Sequence, residues 1–309
     1  MITYYTHNQI DMQRWDECVL NSPNGNVYAL SWYLDVVHPN WDALIETDYE
    51  SVMPLTGNEK FGLSYLFQPF FTQQLGIYSK QVLDEEKVRR FVASIPDKFK
   101  FAEIRLNSGN IFSKDFKGIE YHVNTELDLS LEYDFLRRNY SNNNKRNLAK
   151  AESADLKMSY DVETQQIVSL FRKNKGKSIA HWKDAEYQRF INLVDVAKGR
   201  GCCFAEGVRN ADNQLVAGAV FMTSHNRIVF LFSGADETNK ESHALSFLID
   251  NVIRENSATG KTFDFEGSDN VGLARYYKGF GGHEVKYPSL YFNKTRGLVR
   301  LILKIVKNR

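Results

Sequence analysis

The stretch FDFEGSDNVGLARYYKGFGG, residues 263–282, brings together two acids, a tyrosine pair and a lysine, groups that can move a proton or stabilise a developing negative charge. Chemistry that builds up negative charge on an oxygen requires a stabiliser for the oxyanion, a group to move the proton and a dock for the substrate. Lys278, between a tyrosine pair and a Gly-Phe-Gly-Gly stop, is a candidate for the stabiliser, because a cation in a partly dry cleft offsets developing negative charge. A lysine at a helix C-terminus also complements the helix dipole with no part in a reaction, and the pattern accommodates both readings. Glu266 ends an alternating run in which Phe263 and Phe265 face one side and Asp264 and Glu266 the other. There it can take a proton from an incoming ammonium, or act as a structural ion pair or cap; Ser268 and Asp269 suit the cap equally. Asp264 is expected to be structural. Tyr276 is a candidate to orient the acceptor, and Tyr277, spaced with Leu273 and Phe280, to anchor the core face.

Two further groups of side chains suit ligand binding. Five cations, Arg137, Arg138, Lys145, Arg146 and Lys150, crowd one segment, and Arg172, Lys173, Lys175, Lys177 and Lys183 another, in a chain whose net charge is only +1. Such clusters suit an anionic partner such as a nucleotide-sugar diphosphate, CoA, a lipid phosphate or tRNA, and equally a solvated face. Gln68, Gln73 and Gln74 sit beside Pro and Phe in FQPFFTQQLGIY, which suits a sugar or peptide acceptor or the packing of a hairpin tip. Seven histidines show neither H-x-H nor H-E-x-x-H, so no metal site is expected. Cys18, Cys202 and Cys203 lack metal spacing and suit a reducing compartment.

The elements that must position these groups form a mixed α/β pattern. With 309 residues, 43% hydrophobic, the chain can build two domains of ordinary size. Residues 1–130 read as strand ITYYT, helices MQRWDECVL and LSWYLDVV, strands SVMPLTG and FGLSYLFQPFF around a GNEK turn, a helix over 85–95, and strand FAEIRLN. Residues 131–154 read as a basic connection between halves. Residues 155–295 run strand, two helices, three strands, helix, strand, helix and a final strand pair around HEVKY and SLYFN.

That element order resembles the GNAT (Nat) acyltransferase fold. FDFEG…GLARYYKGFGG resembles the C-terminal signature of the FemAB/FemX-like acyltransferases. WDECVLNSPNGNVYALSWYLDVV with FQPFFTQQLGI resembles their opening domain, and LRRNYSNNNKRNLAKAE their basic segment. The resemblance implies an α+β chain of two tandem GNAT-like domains that moves an acyl or aminoacyl group to an amine of a cell-envelope or polysaccharide precursor. It implies no tightly bound cofactor, with acyl-CoA or aminoacyl-tRNA as co-substrate, and a sugar or peptide amine as acceptor. It further implies that Lys278 faces the reacting carbonyl and that the strand RIVFLFSGA splays from its neighbour, so that N–H groups near Ser233, Gly234 and Ala235 hold the donor. Arg138, Lys145 and Arg146 would hold phosphates, and Gln68 and Gln73 the acceptor. The glycine-rich Q/R-x-x-G-x-G/A loop of acetyl-CoA enzymes is replaced by GADETNKESHALSF, which leaves the carrier open. A catalytically inactive ligand-binding protein of glycan or envelope assembly is the alternative.

Residues 296–309 belong to a terminal stretch, KTRGLVRLILKIVKNR, with six cations and no anion. It suits docking on the second domain or lying on an anionic membrane surface. The N-terminus has no signal-peptide core, so the chain is expected to be cytoplasmic, with the tail able to meet the inner membrane face.

Overall fold

A computed structural model describes residues 1–113, 115–160, 162–178, 182–267 and 270–295. The basic terminal stretch of residues 296–309 and the capping roles of Ser268 and Asp269 lie outside the described residues. The chain divides into two compact units, Met1–His122 with Lys286–Arg309, and Val123–Val285.

The first unit opens with β1 (Ile2–Tyr5), α1 (Met12–Leu20), α2 (Ser31–Val37), β2 (Asp42–Glu46) and β3 (Ser51–Leu55). β4 (Gly57–Lys60), β5 (Leu63–Phe67), β6 (Tyr78–Ser79), α3 (Glu85–Ala93) and β7 (Phe99–Arg105) follow. Asp11 caps α1 by accepting from the Gln13 and Arg14 amides, and the helix buries Trp15, Cys18 and Val19. β1, β2, β3 and β6 form one antiparallel sheet. GNEK, expected as a turn, is itself strand β4; the reversal falls on Phe61 and Gly62, with φ of 53° and 74°. Two consecutive left-handed residues are what a tight hairpin turn requires, and Gly62 adopts that conformation without the steric cost that Phe61 bears.

β8 (Ile119–Asp128) leads into the second unit, followed by α4 (Tyr133–Arg138), α5 (Asn142–Glu152), β9 (Lys157–Ser159), α6 (Thr164–Lys173), α7 (Asp184–Gly199) and β10 (Cys203–Arg209). Then come β11 (Leu215–Ser224), β12 (Arg227–Ala235), α8 (Ala244–Glu255), β13 (Thr262–Gly267) and α9 (Val271–Lys278). The sheet runs β8, β13, β12, β11, β10, β9, with β12 and β13 parallel and the other pairs antiparallel. Its core joins Phe221, Phe230, Phe263, Phe265, Phe280 and the apolar face of α8. Residues 131–154, expected as a connection, are packed into this unit. Leu136, Tyr140 and Leu148 are buried in its core, and Ser141 caps α5. The asparagine run is helical because Asn144 turns inward and donates to the Tyr276 carbonyl at 3.2 Å, against Gly279, where a Cβ would come within 2.8 Å of it.

β14 (His283–Asn293) is one continuous strand where a pair was expected; Pro288, at its middle, stays in the strand, and its carbonyl accepts from the Leu106 amide at 2.7 Å. It carries the chain back to the first unit, where Ser289–Asn293 pair with Arg105–Phe101 of β7. Among the described residues no helix is long and apolar enough to cross a membrane.

Candidate active site

RIVFLFSGA is an almost unbroken apolar run, the composition of a strand buried on both faces, and Ile228–Phe232 of β12 are all buried. β12 pairs with β11 from Arg227 to Ala235, but with β13 only over Arg227–Val229 against Thr262–Asp264. Beyond that point the strands part. Two features account for it. β13 bulges after Asp264, its register against β8 shifting before Gly267, with Glu266 at φ 57°. At the paired end, buried Asp264 accepts from the Arg227 guanidinium at 3.1 Å and from the Asn124 amide at 2.9 Å, and Arg227 also pairs with Glu126 of β8. The flanking carboxylates raise the Arg227 pKa against the opposing effect of its burial.

On the other side of β12 lies α6, in unusually close approach. A Cβ on Gly234 would fall 2.6 Å from the Ile167 carbonyl oxygen and 2.7 Å from the Phe171 nitrogen. The cross-strand partner Gly218 is likewise covered by the Ile167 side chain, at 2.8 Å. Asn174, the C-cap of α6, donates to the Ala235 carbonyl at 2.9 Å and ties the helix to the strand end.

A cavity of about 370 Å³ opens at that end, within the size range of small-ligand sites. Its floor is Val216 and Ser233–Ala235; its walls come from α6, from His243–Ser246 at the start of α8, and from Leu273, Tyr276 and Tyr277 of α9. The Asp236 amide donates to the Val216 carbonyl of β11. Because N–H direction alternates along a strand, Ser233 and Ala235 therefore point theirs to the side that β13 has left. The Tyr276 hydroxyl lies 2.9 Å from Ser246 Oγ, and burial raises the phenol pKa, which keeps it protonated at neutral pH. The first turn of α8 also lines the cavity; its Ser246 amide is taken by the His243 carbonyl at 2.9 Å, and the helix field there favours negative charge.

The expected site residues are therefore only partly assembled. Ser233, Gly234 and Tyr276 share the cavity. Lys278 does not line it: its ammonium donates to Glu284 Oε1 at 2.9 Å, on an exposed side chain. Helical spacing explains the difference. Tyr277 is the buried residue, stacked on Phe265 with centroids 5.1 Å apart, and Tyr276 and Lys278 lie about 100° to either side of it, so that one meets the cavity and the other turns away. Glu266 is half-buried in the bulge, its amide donating to Asp264 Oδ1, and it is not in the cavity wall. The bulge interrupts the alternation that would put both acids on one face. Asn270 caps α9 by accepting from the Leu273 amide.

The cations of the basic segment do not line the cavity. Arg138 stacks on Phe135, Lys145 donates to the Arg138 carbonyl, and Arg146 reaches Asn143; only their uncharged neighbour Asn147 joins the wall. In the second cluster Arg172 pairs with Asp184, and Lys175 reaches the wall. Gln68 and Gln73, in the first unit, are engaged in loop structure. Gln68 bridges the Thr72 carbonyl and the Arg105 amide, and Gln73 accepts from Gln74. Sequence reasoning missed His243, Ser246 and Asn174. For Ser246 the available signal was position, since the first turn of a helix that follows a splayed strand tends to face the gap; Asn174, the C-cap of α6, carried no such signal.

No protein-family model matches this sequence, and no curated protein matches it either. Solved structures share its fold. FemX is 12% identical, with 93% of this chain and 96% of that chain covered and a TM-score of 0.65. The C-terminal domain of a protein described as a lysylphosphatidylglycerol synthetase from Agrobacterium fabrum is 12% identical, with 96% and 95% covered and a TM-score of 0.52. A tandem GNAT protein from the clavulanic acid biosynthesis pathway is 9% identical, with 96% and 100% covered and a TM-score of 0.50. The fold is thus the mixed α+β architecture of tandem GNAT-like proteins.

Proposed function

We propose that the chain is an N-acyltransferase, moving an acyl or aminoacyl group from an activated donor, acyl-CoA or aminoacyl-tRNA, to an amine of a cell-envelope or polysaccharide precursor. The observation that carries this reading is the parting of β12 and β13 over a cavity that holds strand N–H groups, a helix N-terminus and a protonated phenol together. In this reading the N–H groups of Ser233 and Ala235 hold the donor near its carbonyl, and the start of α8 favours an anionic carrier. The amine attacks the carbonyl carbon, the C–N bond forms, and the bond to the carrier sulfur or oxygen breaks. The Tyr276 phenol gives its proton to the departing group and regains one from the amine nitrogen. FemX, lysylphosphatidylglycerol synthetase and tandem GNAT neighbours support the reading through their shared architecture. The envelope precursor and a membrane contact by residues 296–309 are parts of the same proposal.

The alternative of an inactive binding protein draws on the Lys278–Glu284 pair, which leaves the cavity wall without that cation. One experiment separates the two. Acetyl-CoA, longer acyl-CoAs and aminoacyl-tRNA are screened for stabilisation against heat, and the donor that stabilises is then incubated with amine acceptors and the product weighed by mass spectrometry. A donor at a hundredfold excess over its Kd adds about 2.7 kcal/mol. Ala235→Trp, which fills the cavity floor, is expected to abolish that stabilisation; a donor that protects this variant as well as the parent refutes the assignment of the site. Binding without any transfer supports the inactive reading.

A further inference from the structure

The wall of the cavity divides by chemistry. Val216 and Tyr277 are buried in the core of the second unit, and Leu245 and Leu273 pack against that same core, so one apolar face borders the cavity beside Tyr276. The charged groups of the lining are exposed or already engaged. Lys175, Glu237 and Lys240 are exposed. Asp236, half-buried, binds the loop that follows it: Oδ1 accepts from the Thr238 amide and hydroxyl, and Oδ2 from the Asn239 side chain. The polar groups nearest the apolar face carry no charge, and Ser246 and Tyr276 bond to each other at 2.9 Å. Among the described residues, the lining therefore presents no sheltered carboxylate that is free of such bonds.

We propose that the group transferred is an aliphatic acyl group, uncharged and apolar, and not an aminoacyl group, an assignment that rests on the acyltransferase reading of this cavity. In that reading the N–H groups of Ser233 and Ala235 hold the donor near its carbonyl, the start of α8 favours the carrier, and Tyr276 serves the departing group. The acyl substituent is left the face made by Val216, Leu245, Leu273 and Tyr277. The transfer itself is amide formation. The amine nitrogen bonds to the acyl carbon, the bond from that carbon to the carrier sulfur or oxygen breaks, and the proton lost from nitrogen reaches the departing group through Tyr276.

The two kinds of substituent differ in what they meet on this face. An alkyl chain leaves water for apolar surface, and each methylene buried there tightens binding by about fourfold. An aminoacyl substituent brings an ammonium to the same face. It gives up its hydration and finds no carboxylate in exchange, which is the costly way to bury a charge. The two lysines of the lining, Lys175 and Lys240, repel it further. Glu266, the remaining acid of the 263–282 motif, is not in the wall and offers no remedy.

The test uses two thioesters that differ only at the end of the acyl chain. Butyryl-CoA ends in a methyl group, and β-alanyl-CoA carries an ammonium in its place on the same carrier. Stabilisation against heat at a series of concentrations gives Kd for each. Butyryl-CoA is expected to bind about 10²-fold more tightly than β-alanyl-CoA at pH 7. Equal or tighter binding of β-alanyl-CoA overturns the assignment and leaves the acyltransferase reading standing. Alanyl-tRNA that stabilises the protein where butyryl-CoA does not has the same effect. Failure of every donor to bind, or of every bound donor to acylate an amine, overturns both. Leu273→Asp sets a carboxylate in the apolar face, in the first turn of α9 where a helix favours an acid. The preference for butyryl-CoA should narrow by about tenfold in this variant, the worth of a hydrogen bond to a charged group. An unchanged preference in the folded variant overturns the placement of the acyl group on this face; if the variant does not fold, the ratio measured on the parent decides.

Discussion

Replacing Gly234 with alanine tests the packing that shapes the cavity. The new methyl would lie 2.6 Å from the Ile167 carbonyl oxygen, 2.7 Å from the Phe171 nitrogen and 3.0 Å from Leu170 Cβ, whereas ordinary contact begins near 3.4 Å. The two tightest contacts are backbone atoms of α6, so no rotamer change relieves them. The helix must lift by about 0.8 Å, the shortfall against ordinary contact. Overpacking of this kind costs roughly 1–3 kcal/mol. A shift of that size also stretches the 2.9 Å bond from Asn174 to the Ala235 carbonyl out of hydrogen-bonding range and moves Phe171 in the cavity wall. Two glycines serve as controls. At Gly218 the clash is a single one, with Ile167 Cγ1 at 2.8 Å, a side-chain atom rather than helix backbone, so Gly218→Ala should cost less. At Gly199, in the last turn of α7, nothing lies within 4 Å, and alanine should stabilise by roughly 0.5–1 kcal/mol by restricting the unfolded chain and favouring helix. Urea unfolding of the three variants gives the order, and the heat-stabilisation assay reads the effect on donor binding. A Gly234→Ala protein as stable as the parent, or more stable than Gly218→Ala, would refute the close approach and the cavity shape derived from it.

Tyr276→Phe removes the phenolic proton while keeping the ring, and transfer should fall by about 10²-fold with donor binding retained. Lys278→Ala should leave transfer unchanged and shift stability by no more than about 0.5 kcal/mol, because its pair with Glu284 is exposed; a large loss of activity would return the lysine to the reaction. Arg227→Ala leaves Glu126 and Asp264 side by side without their cation, and should cost about 3 kcal/mol in urea unfolding, the lower end for a broken buried pair since the arginine is partly exposed. Glu206 on β10 has a buried Oε2 without a hydrogen-bond partner among the described residues, and burial, with Glu255 nearby, pushes its carboxyl up to about 7. The folded state then binds a proton that the unfolded chain has released. This contribution to stability is full below the unfolded value near 4.5 and is lost as pH rises through about 7. Titration should show a decline on the order of 2–3 kcal/mol across that window, absent in Glu206→Gln; an equal decline in both proteins would contradict it.

Local pattern was enough to recognise most elements of the second unit. The apolar run of β12, the amphipathic spacing of α8 and the 263–282 motif each carry their own periodicity, and the order of such elements narrows the fold by itself. Tyr277 was recognisable as core for the same reason. The direction of Lys278 was not, because a helix in sequence has a period but no absolute orientation. Only the packing of Tyr277 on Phe265 sets the rotation that gives Tyr276 to the cavity and Lys278 to solvent. The parting of β12 and β13 rests on a three-residue ladder, a bulge at Glu266 and a charge cluster drawn from three strands. None of these is a property of any one segment. His243 and Asn174 became site residues through the same long-range contacts, and the glycines under α6 acquired their meaning only when Gly218 and Gly234 were placed side by side beneath a helix. The sequence by itself determined which pieces form and which of their faces are apolar, because those depend on neighbours a few residues apart. Tertiary structure alone decided which polar groups share a cavity, because that depends on strand register and helix rotation, and both are set by packing between residues distant in the chain.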